Sequence, residues 1–245
     1  MLGWLRGHSR WVGLAVTFLI LAAGGAYGFR EHRHEQFVAK KCDAVEQVEV
    51  DLGTRRNEAL RQVDGPVIAF VGDSYTQGQW LDDPLKSYAY VVADDFAQAP
   101  YVDGRGGTGF ENGGPCGDQE FFNRVGRAAG QRPTLLILQG GLNDAGLDDV
   151  AESTDLAIRL ARVSANGART TIVVIGTFTP PGADPELTAA ANREIERAAE
   201  SAEVLFIDPS TWDFPVMDDQ IHPTVAGHEA IGHRVTEAIL AAVAS

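Results

Sequence analysis

The chain has 245 residues, of which 44% are hydrophobic, 22% charged and 8% aromatic. This composition is sufficient for one folded domain and excludes a disordered or low-complexity protein. The formal net charge of -14 argues against nucleic acid as a partner, because binding to phosphate backbones requires a positive surface.

The amino-terminal region differs from the remainder in charge and hydropathy. Residues 1–41 carry six basic and two acidic side chains. Within them, Trp11–Phe29 has nineteen residues without a charge, enough at 1.5 Å per residue to cross a hydrocarbon layer of about 30 Å. We predict an N-terminal membrane anchor over residues 1–30, with a cleaved secretory signal as the alternative. In either case the body of the chain is expected outside the cytoplasm, anchored to the membrane or secreted.

A polar stretch with scattered apolar positions follows at residues 31–64, and it predicts a solvated helical stalk. The chain has two cysteines, Cys42 and Cys116, too few for a disulfide framework. One disulfide bond in an oxidising compartment and two unpaired small apolar side chains are both compatible with this pattern.

From Gly65 onward, short apolar runs alternate with longer helical patterns, which predicts a single domain over residues 65–245 with a five-stranded parallel sheet. The strands are expected at Val67–Val71, Tyr101–Asp103, Thr134–Leu138, Thr170–Ile175 and Val204–Ile207. The helices are expected at Ser87–Gln98, Gln119–Ala129, Asp148–Ala165, Pro185–Ser201 and Thr224–Ala242. The loops after such strands meet at one edge of the sheet, where ligands bind.

The first predicted strand leads directly into Gly72, Asp73, Ser74 and Tyr75. This places the Ser74 hydroxyl at the carboxyl end of a strand and near the amino end of a helix, where backbone amides can stabilise a developing negative charge. Ser74 is therefore a candidate nucleophile. The alternative is that Gly-Asp-Ser forms only a turn.

The last predicted strand is followed by a loop that contains Asp219 and His222, three residues apart. At this spacing the carboxylate can bind one ring nitrogen of the histidine and leave the other free as a base. Asp218 is a second candidate for the carboxylate, and a solvated turn is the alternative for the whole loop. The loop is expected at the same sheet edge as Ser74, which favours the catalytic interpretation of both.

Two further loops are expected at this edge. The second strand leads into a glycine-rich segment with Gly106 and Gly107, and the third leads into Gly141, Asn143 and Asp144. Glycine lets backbone amides approach a substrate closely, and the asparagine amide is a neutral donor suited to an oxyanion.

These four segments carry a resemblance: the chain resembles the SGNH hydrolases, also called the GDSL esterase/lipase superfamily. The matching segments are Gly72 to Ser74, Gly106-Gly107, Gly141 to Asp144, and Asp219 to His222, in the family's order. The first segment departs from the family pattern because Tyr75 stands where GDSL has leucine. We expect this substitution to affect packing more than proton transfer.

The resemblance implies a flavodoxin-like three-layer α/β/α domain. It also implies a triad of Ser74, His222 and Asp219, and an oxyanion hole from the amides of Ser74 and Gly107 and the Asn143 side chain. Gly106 remains an alternative to Gly107. No metal or organic cofactor is implied. Asp73 and Asp144 are expected to tie loops together.

Three other interpretations of the same residues are less favoured. Gly104, Gly106 and Gly109 match a dinucleotide-binding fingerprint, but no helix is predicted to open on the last glycine. His228 and His233 lack the spacing and partners of a metal site and are expected to be helix residues with local hydrogen bonds. An α/β-hydrolase would have G-x-S-x-G around its serine and an acid far from its histidine.

The expected function is hydrolysis of carboxylic esters through an acyl-enzyme, on small-molecule esters, lipids or acylated glycans outside the cytoplasm. The alternatives are an O-acyltransferase of envelope glycans and a catalytically silent glycan-binding domain. Several aromatic and apolar residues next to the four segments are expected to line an acyl pocket or to fill the core: Trp80, Phe110, Phe178, Trp212 and Met217.

Overall fold

The computed structural model describes Cys42, residues 65–167 and residues 169–244. The chain divides into Met1–Ala44 and Val45–Ser245, and every element named below belongs to the second unit. The predicted membrane segment and nearly all of the predicted stalk lie outside the described residues. No helix among the described residues has the length and apolar character needed to cross a membrane. Cys42 and Cys116 are both disulfide-bonded.

The sheet has five parallel strands in the order β2-β1-β3-β4-β5. The strands are β1 (Val67–Gly72), β2 (Ala99–Gly104), β3 (Leu135–Gln139), β4 (Thr171–Ile175) and β5 (Leu205–Ile207). Gly72 at the end of β1 pairs in register with Gly104 of β2 and Gln139 of β3. The carboxyl ends of these three strands are therefore level, and their loops start from one edge.

Helices connect the strands in an alternating pattern. They are α1 (Ser74–Gln77), α2 (Tyr88–Asp95), α3 (Phe121–Gly130), α4 (Val150–Ser164), α5 (Pro185–Ser201) and α6 (Val225–Ala244). Short 3₁₀-helices lie at Pro84–Lys86, Gly114–Cys116 and Leu142–Asp144.

Both faces of the sheet are covered by helices. On β1, Ile68 and Phe70 belong to a buried cluster that includes side chains of α2 and α6, whereas Ala69 and Val71 belong to a second cluster with side chains of α3, α4 and α5. Strands buried on both faces explain why the predicted strands are continuous apolar runs without alternation. The predicted three-layer α/β/α fold with a five-stranded parallel sheet is confirmed.

One predicted helix is too long. The pattern predicted Ser87–Gln98, but α2 ends at Asp95. Ala97 adopts a left-handed φ of +53°, and the amide of Gln98 bonds back to the carbonyl of Ala93 at 2.9 Å. This arrangement terminates a helix. The sequence has no glycine or proline at this end of the helix from which the termination could be predicted.

The second strand is longer than predicted. It begins at Ala99 and includes Pro100, whereas the prediction began at Tyr101. Because β2 is the edge strand of the sheet, it accommodates a proline that a central strand would exclude. The other predicted boundaries differ from the observed ones by no more than two residues.

Candidate active site

Ser74 lies where β1 ends and a short helix begins. Asp73 is the N-cap of α1, and its side chain accepts a hydrogen bond from the amide of Tyr75 at 2.9 Å. A Cβ atom on Gly72 would come within 2.0 Å of the Thr76 hydroxyl, so this tight turn requires glycine. The Ser74 side chain is 6% exposed. The turn thus presents a hydroxyl at the sheet edge on an otherwise buried segment.

A buried polar network supports this turn. The second oxygen of the Asp73 carboxylate lies 3.3 Å from the side-chain amide of Gln139, whose own oxygen accepts from the Thr76 hydroxyl at 2.8 Å. Burial raises the pKa of Asp73 to about 7. Asp73 therefore ties β1 to β3, as expected, and it does so beside the candidate nucleophile.

The candidate base and its carboxylate form a compact loop. Nδ1 of His222 lies 2.6 Å from Oδ2 of Asp219, and the other carboxylate oxygen accepts from the amides of Ile221 and His222 at 3.0 and 2.9 Å. Although its partial burial acts in the opposite direction, these bonds lower the pKa of Asp219 to about 2. The predicted pairing of a carboxylate with a ring nitrogen of His222 is confirmed, and the carboxylate is that of Asp219 and not that of Asp218. Nδ1 is engaged, so Nε2 is the ring nitrogen left for chemistry.

Tyr75 connects the segment that carries Ser74 with the loop that carries His222. Its hydroxyl donates to the carbonyl oxygen of Ile221, and its ring centroid lies 6.2 Å from that of His222. The ring also packs against Phe178 with a centroid separation of 5.0 Å, and the side chain is 1% exposed. Tyr75 therefore packs in the core, as expected, and in addition binds the backbone next to the candidate base.

The structure brings Ser74 and His222 to the same edge through this contact. Among the described residues, no hydrogen bond joins the Ser74 hydroxyl to His222. Catalytic hydrogen bonds are often long or poorly aligned in the absence of substrate and tighten when substrate binds.

The glycine-rich loop offers one unoccupied backbone amide. The amide of Gly106 donates to the side-chain oxygen of Gln77 at 3.0 Å. Gly107 adopts a left-handed φ of +77°, and in the described part of the chain its amide has no hydrogen-bond acceptor. This difference favours Gly107 over Gly106 as a donor to substrate.

Asn143 lies in the 3₁₀-helix that follows β3. Its side-chain amide donates one proton to the carbonyl of Thr108 at 2.8 Å, and its own backbone carbonyl accepts from the side chain of Asn112 at 2.8 Å. The loops after β2 and β3 are thus joined at Asn143. An amide group has two protons, so the second remains for a substrate oxygen.

The buried carboxylate of Asp144 also joins the loop after β2 to the loop after β3. It is fully buried and accepts hydrogen bonds from the amides of Phe110, Glu111 and Asn112 at 2.9 to 3.0 Å. Burial raises the pKa of Asp144, against the effect of these three amides. The expectation that Asp144 ties loops together is confirmed. A Cβ atom on Gly109 would lie 2.2 Å from this carboxylate, which explains the glycine.

Sequence reasoning missed Arg124, a fully buried side chain on α3. Its guanidinium donates to the backbone carbonyl of Gly72 at 3.0 Å, to the hydroxyl of Thr108 at 3.0 Å and to the carboxylate of Asp103 at 2.8 Å. It therefore cross-links the ends of β1 and β2 under the site. The available signal was an arginine three residues after Phe121, on the apolar face of the helix.

His228 and His233 are helix residues, as predicted, but the prediction that their hydrogen bonds are local is wrong. Nδ1 of His228 accepts from the backbone amide of Tyr88 at 3.2 Å, and Nδ1 of His233 lies 3.0 Å from Asp95. Both partners are on α2, because α2 and α6 pack side by side on one face of the sheet. Burial, followed by the charge of His222, lowers the pKa of His228 to about 4.

The apolar residues near the site differ in how exposed they are. Phe110 and Phe178 are buried in the two core clusters, whereas Trp212 and Met217 are partly buried. Trp80 is 68% exposed and meets the His222 ring edge to face, with 6.4 Å between centroids. No group of three or more metal-ligating side chains occurs in residues 65–167 and 169–244.

A family model matches most of the described chain. The model described as the GDSL-like Lipase/Acylhydrolase family matches residues 70–230, which include all four loops. A comparison with curated proteins finds no significant match.

Solved structures share the fold at low sequence identity. Est24, a carbohydrate acetylesterase from Sinorhizobium meliloti, is 16% identical, with a TM-score of 0.59 over 73% of this chain and 100% of its own. The M. smegmatis aryl esterase is 17% identical, with a TM-score of 0.60 over 72% and 99%. A family two carbohydrate esterase from Cellvibrio japonicus is 19% identical, with a TM-score of 0.56 over 72% and 61%.

Proposed function

The chain belongs to the GDSL-like lipase/acylhydrolase family and is a carboxylic ester hydrolase, and we propose that it acts through Ser74, His222 and Asp219. The observation that carries this proposal is the 2.6 Å contact between Nδ1 of His222 and the Asp219 carboxylate, in a loop bound to the residue after Ser74. The carboxylate keeps the proton on Nδ1 and leaves Nε2 as the base.

In the first step, Nε2 of His222 removes the proton of the Ser74 hydroxyl as its oxygen attacks the ester carbonyl carbon. The carbonyl π bond breaks, and its electron pair moves to the oxygen. Asp219 stays ionised and stabilises the imidazolium, consistent with the pKa of about 2 that its hydrogen bonds give it.

The oxyanion is stabilised by three donors: the amides of Ser74 and Gly107 and the free proton of the Asn143 side chain. The hydrogen bond from Asn143 to Thr108 and the unoccupied amide of Gly107 support this assignment. These groups are fixed before substrate binds, so they need no reorganisation during the reaction.

When the tetrahedral intermediate collapses, His222 gives its proton to the departing alcohol and an acyl-Ser74 ester forms. Water then attacks this ester, with His222 again as the base. The carboxylic acid leaves and the Ser74 hydroxyl is restored.

We propose acyl esters of glycans as the substrate class, ahead of lipid esters. Two of the proteins that share the fold are named as a carbohydrate acetylesterase and a carbohydrate esterase. We also place the catalytic domain outside the cytoplasm. The uncharged Trp11–Phe29 segment and the disulfide-bonded state of Cys42 and Cys116 support this location, since disulfides persist in oxidising compartments.

Covalent labelling with a fluorophosphonate tests the proposed nucleophile. We expect the wild-type protein to be labelled once and Ser74→Ala to be unlabelled and inactive on acetyl esters. Ser201→Ala is the matched control, because Ser201 is exposed at the end of α5, away from the four loops. Labelling or ester turnover that survives in folded Ser74→Ala would reject the proposed mechanism.

A further inference from the structure

Trp80 differs from every other large hydrophobic residue on the described surface. Seven such residues are exposed in the described part of the chain, and Trp80 is the one aromatic among them. Its backbone adopts a left-handed φ of +68°, a conformation that is unfavourable for a bulky side chain. An exposed indole in such a conformation is a feature that folding alone does not require.

The segment that carries Trp80 is attached to the helix of the nucleophile. The amide of Gln79 bonds to the carbonyl of Ser74 at 3.0 Å, and the amide of Leu81 bonds to the carbonyl of Gly78 at 3.1 Å. A Cβ atom on Gly78 would lie 2.9 Å from the Pro84 carbonyl, so the chain is closely packed here. The position of Trp80 relative to Ser74 is therefore set by backbone hydrogen bonds.

The indole lies on one particular side of the site. It meets the His222 ring at an interplanar angle of 85° with 6.4 Å between centroids. On the proposed function, His222 protonates the departing alcohol, so the alcohol part of the ester must lie against His222 when the acyl-enzyme forms. A group that borders His222 and extends into solvent therefore contacts the alcohol part and not the acyl part.

We propose that Trp80 is a binding surface for a ring in the alcohol part of the ester. The ligand chemistry is a neutral ring with an apolar face, which is supplied by a sugar or by a phenol. The carboxylates of exposed Asp82, two residues along the chain, and of Asp219, beside His222, disfavour an anionic alcohol. This inference rests on the proposed function and assigns a specificity to the same site.

The test uses three acetate esters that differ only in the alcohol: ethyl acetate, phenyl acetate and an O-acetylated methyl glucopyranoside. For Trp80→Ala in the full chain, we expect the kcat/KM ratio of a ring ester to ethyl acetate to fall about fivefold to tenfold, mainly through KM. Trp80→Phe keeps an aromatic ring, so this ratio should fall less than it does in Trp80→Ala. A fall for the sugar ester alone identifies the ring as a sugar, and a fall for phenyl acetate as well extends it to phenols.

Two control comparisons accompany this test. Val163→Ala truncates another exposed apolar side chain, on α4, and should leave all ratios at the wild-type values. Ethyl acetate, ethyl butyrate and ethyl octanoate differ only in the acyl part. The ratios of their kcat/KM values should be the same in Trp80→Ala and wild type. A uniform change on all acetates, no change, or an altered chain-length preference would overturn the inference. If the wild-type protein showed no fluorophosphonate labelling that depends on Ser74, the proposed mechanism itself would have failed, whatever the effect of Trp80→Ala.

Discussion

The candidate nucleophile and the candidate base are held in place in different ways. Ser74 follows the strand β1 inside the sheet, is 6% exposed and adjoins the buried Asp73. His222 lies in a loop whose carboxylate, Asp219, has a side chain that is 40% exposed. The position of the nucleophile is thus fixed by packing against residues that are distant in the chain. The position of the base is fixed by hydrogen bonds between residues three positions apart.

This difference predicts how each part responds to substitution. Changes next to Ser74 disturb a buried network and should alter the free energy of unfolding. Changes in the loop of His222 remove hydrogen bonds near solvent and should alter catalysis with little change in stability. Tyr75 belongs to both parts, because it follows Ser74 in sequence and binds the carbonyl of Ile221.

The largest effect is expected at Asp219. In Asp219→Asn, the side-chain oxygen can still accept from the amides of Ile221 and His222, but the new NH₂ group cannot accept from Nδ1 of His222. The unfavourable tautomer should lower kcat by about 10³-fold to 10⁴-fold. Steady-state kinetics on an acetyl ester measures this loss. Chemical denaturation should show only a small decrease in stability, because the ionised form of Asp219 stabilises the fold but lies near solvent.

Asp218→Asn is the matched control, since Asp218 is the exposed neighbouring carboxylate. It should retain wild-type kcat. A large loss in Asp218→Asn together with a small one in Asp219→Asn would reverse the assignment of the triad carboxylate.

A smaller effect is expected in the loop after β3. Asn143→Ala removes one proposed oxyanion donor and should lower kcat by about 10²-fold to 10³-fold with little change in KM. The bond from the side chain of Asn112 to the backbone of residue 143 remains, so the loop should keep its position. Asn123→Ala, an exposed position on α3, is the control. Near-normal turnover in Asn143→Ala would remove this side chain from the oxyanion hole.

Tyr75→Phe tests the connection between the two parts. The ring and its packing against Phe178 are retained, but the hydroxyl that binds the carbonyl of Ile221 is lost. Loss of one hydrogen bond should lower kcat by about tenfold or less. Tyr75→Leu, which restores the family's leucine, should lose at least as much activity. Equal kcat in wild type and Tyr75→Phe would mean that the base loop is held without this bond.

The smallest effect on activity, but a measurable one on stability, is expected at Asp73. Its pKa is about 7 in the folded protein and near 3.8 when unfolded, so the folded state binds more protons between these values. Asp73 therefore reduces stability progressively as the pH rises from about 4 to about 7. Asp73→Asn removes this titration, so stability measured in urea should increase relative to wild type over that range.

Asp94→Asn neutralises an exposed carboxyl on α2 and controls for the change in net charge. A stability difference between wild type and Asp73→Asn that is constant from pH 4.5 to pH 7.5 would contradict the raised pKa of Asp73.

Much of this arrangement could be predicted from sequence because the relevant contacts are local or follow from topology. Apolar runs separated by helical patterns predict a parallel sheet, and a parallel sheet brings loops that are about 30 to 150 residues apart in the chain to one edge. The three-residue spacing of Asp219 and His222 is a property of a single turn. For these features, neighbouring residues along the chain contain the required information.

Other features depend on how helices rotate against the sheet, which local patterns do not specify. A charged side chain is usually exposed, yet Arg124 lies on the apolar face of α3 and is buried under the ends of two strands. His228 and His233 find their partners 138 to 140 residues away on α2. The distinction between Gly106 and Gly107 depends on the side chain of Gln77, which occupies one amide and not the other.

The clamp formed by Asp144 has a consequence for protein engineering. Because one carboxylate binds three consecutive amides of the loop after β2, and Asn143 next to it binds the same loop, both loops behave as one preassembled part. Transplanting the site to another scaffold would thus require both loops to be moved together. Libraries intended to broaden the accepted esters should vary positions outside this clamp, where a change in one loop does not displace the other.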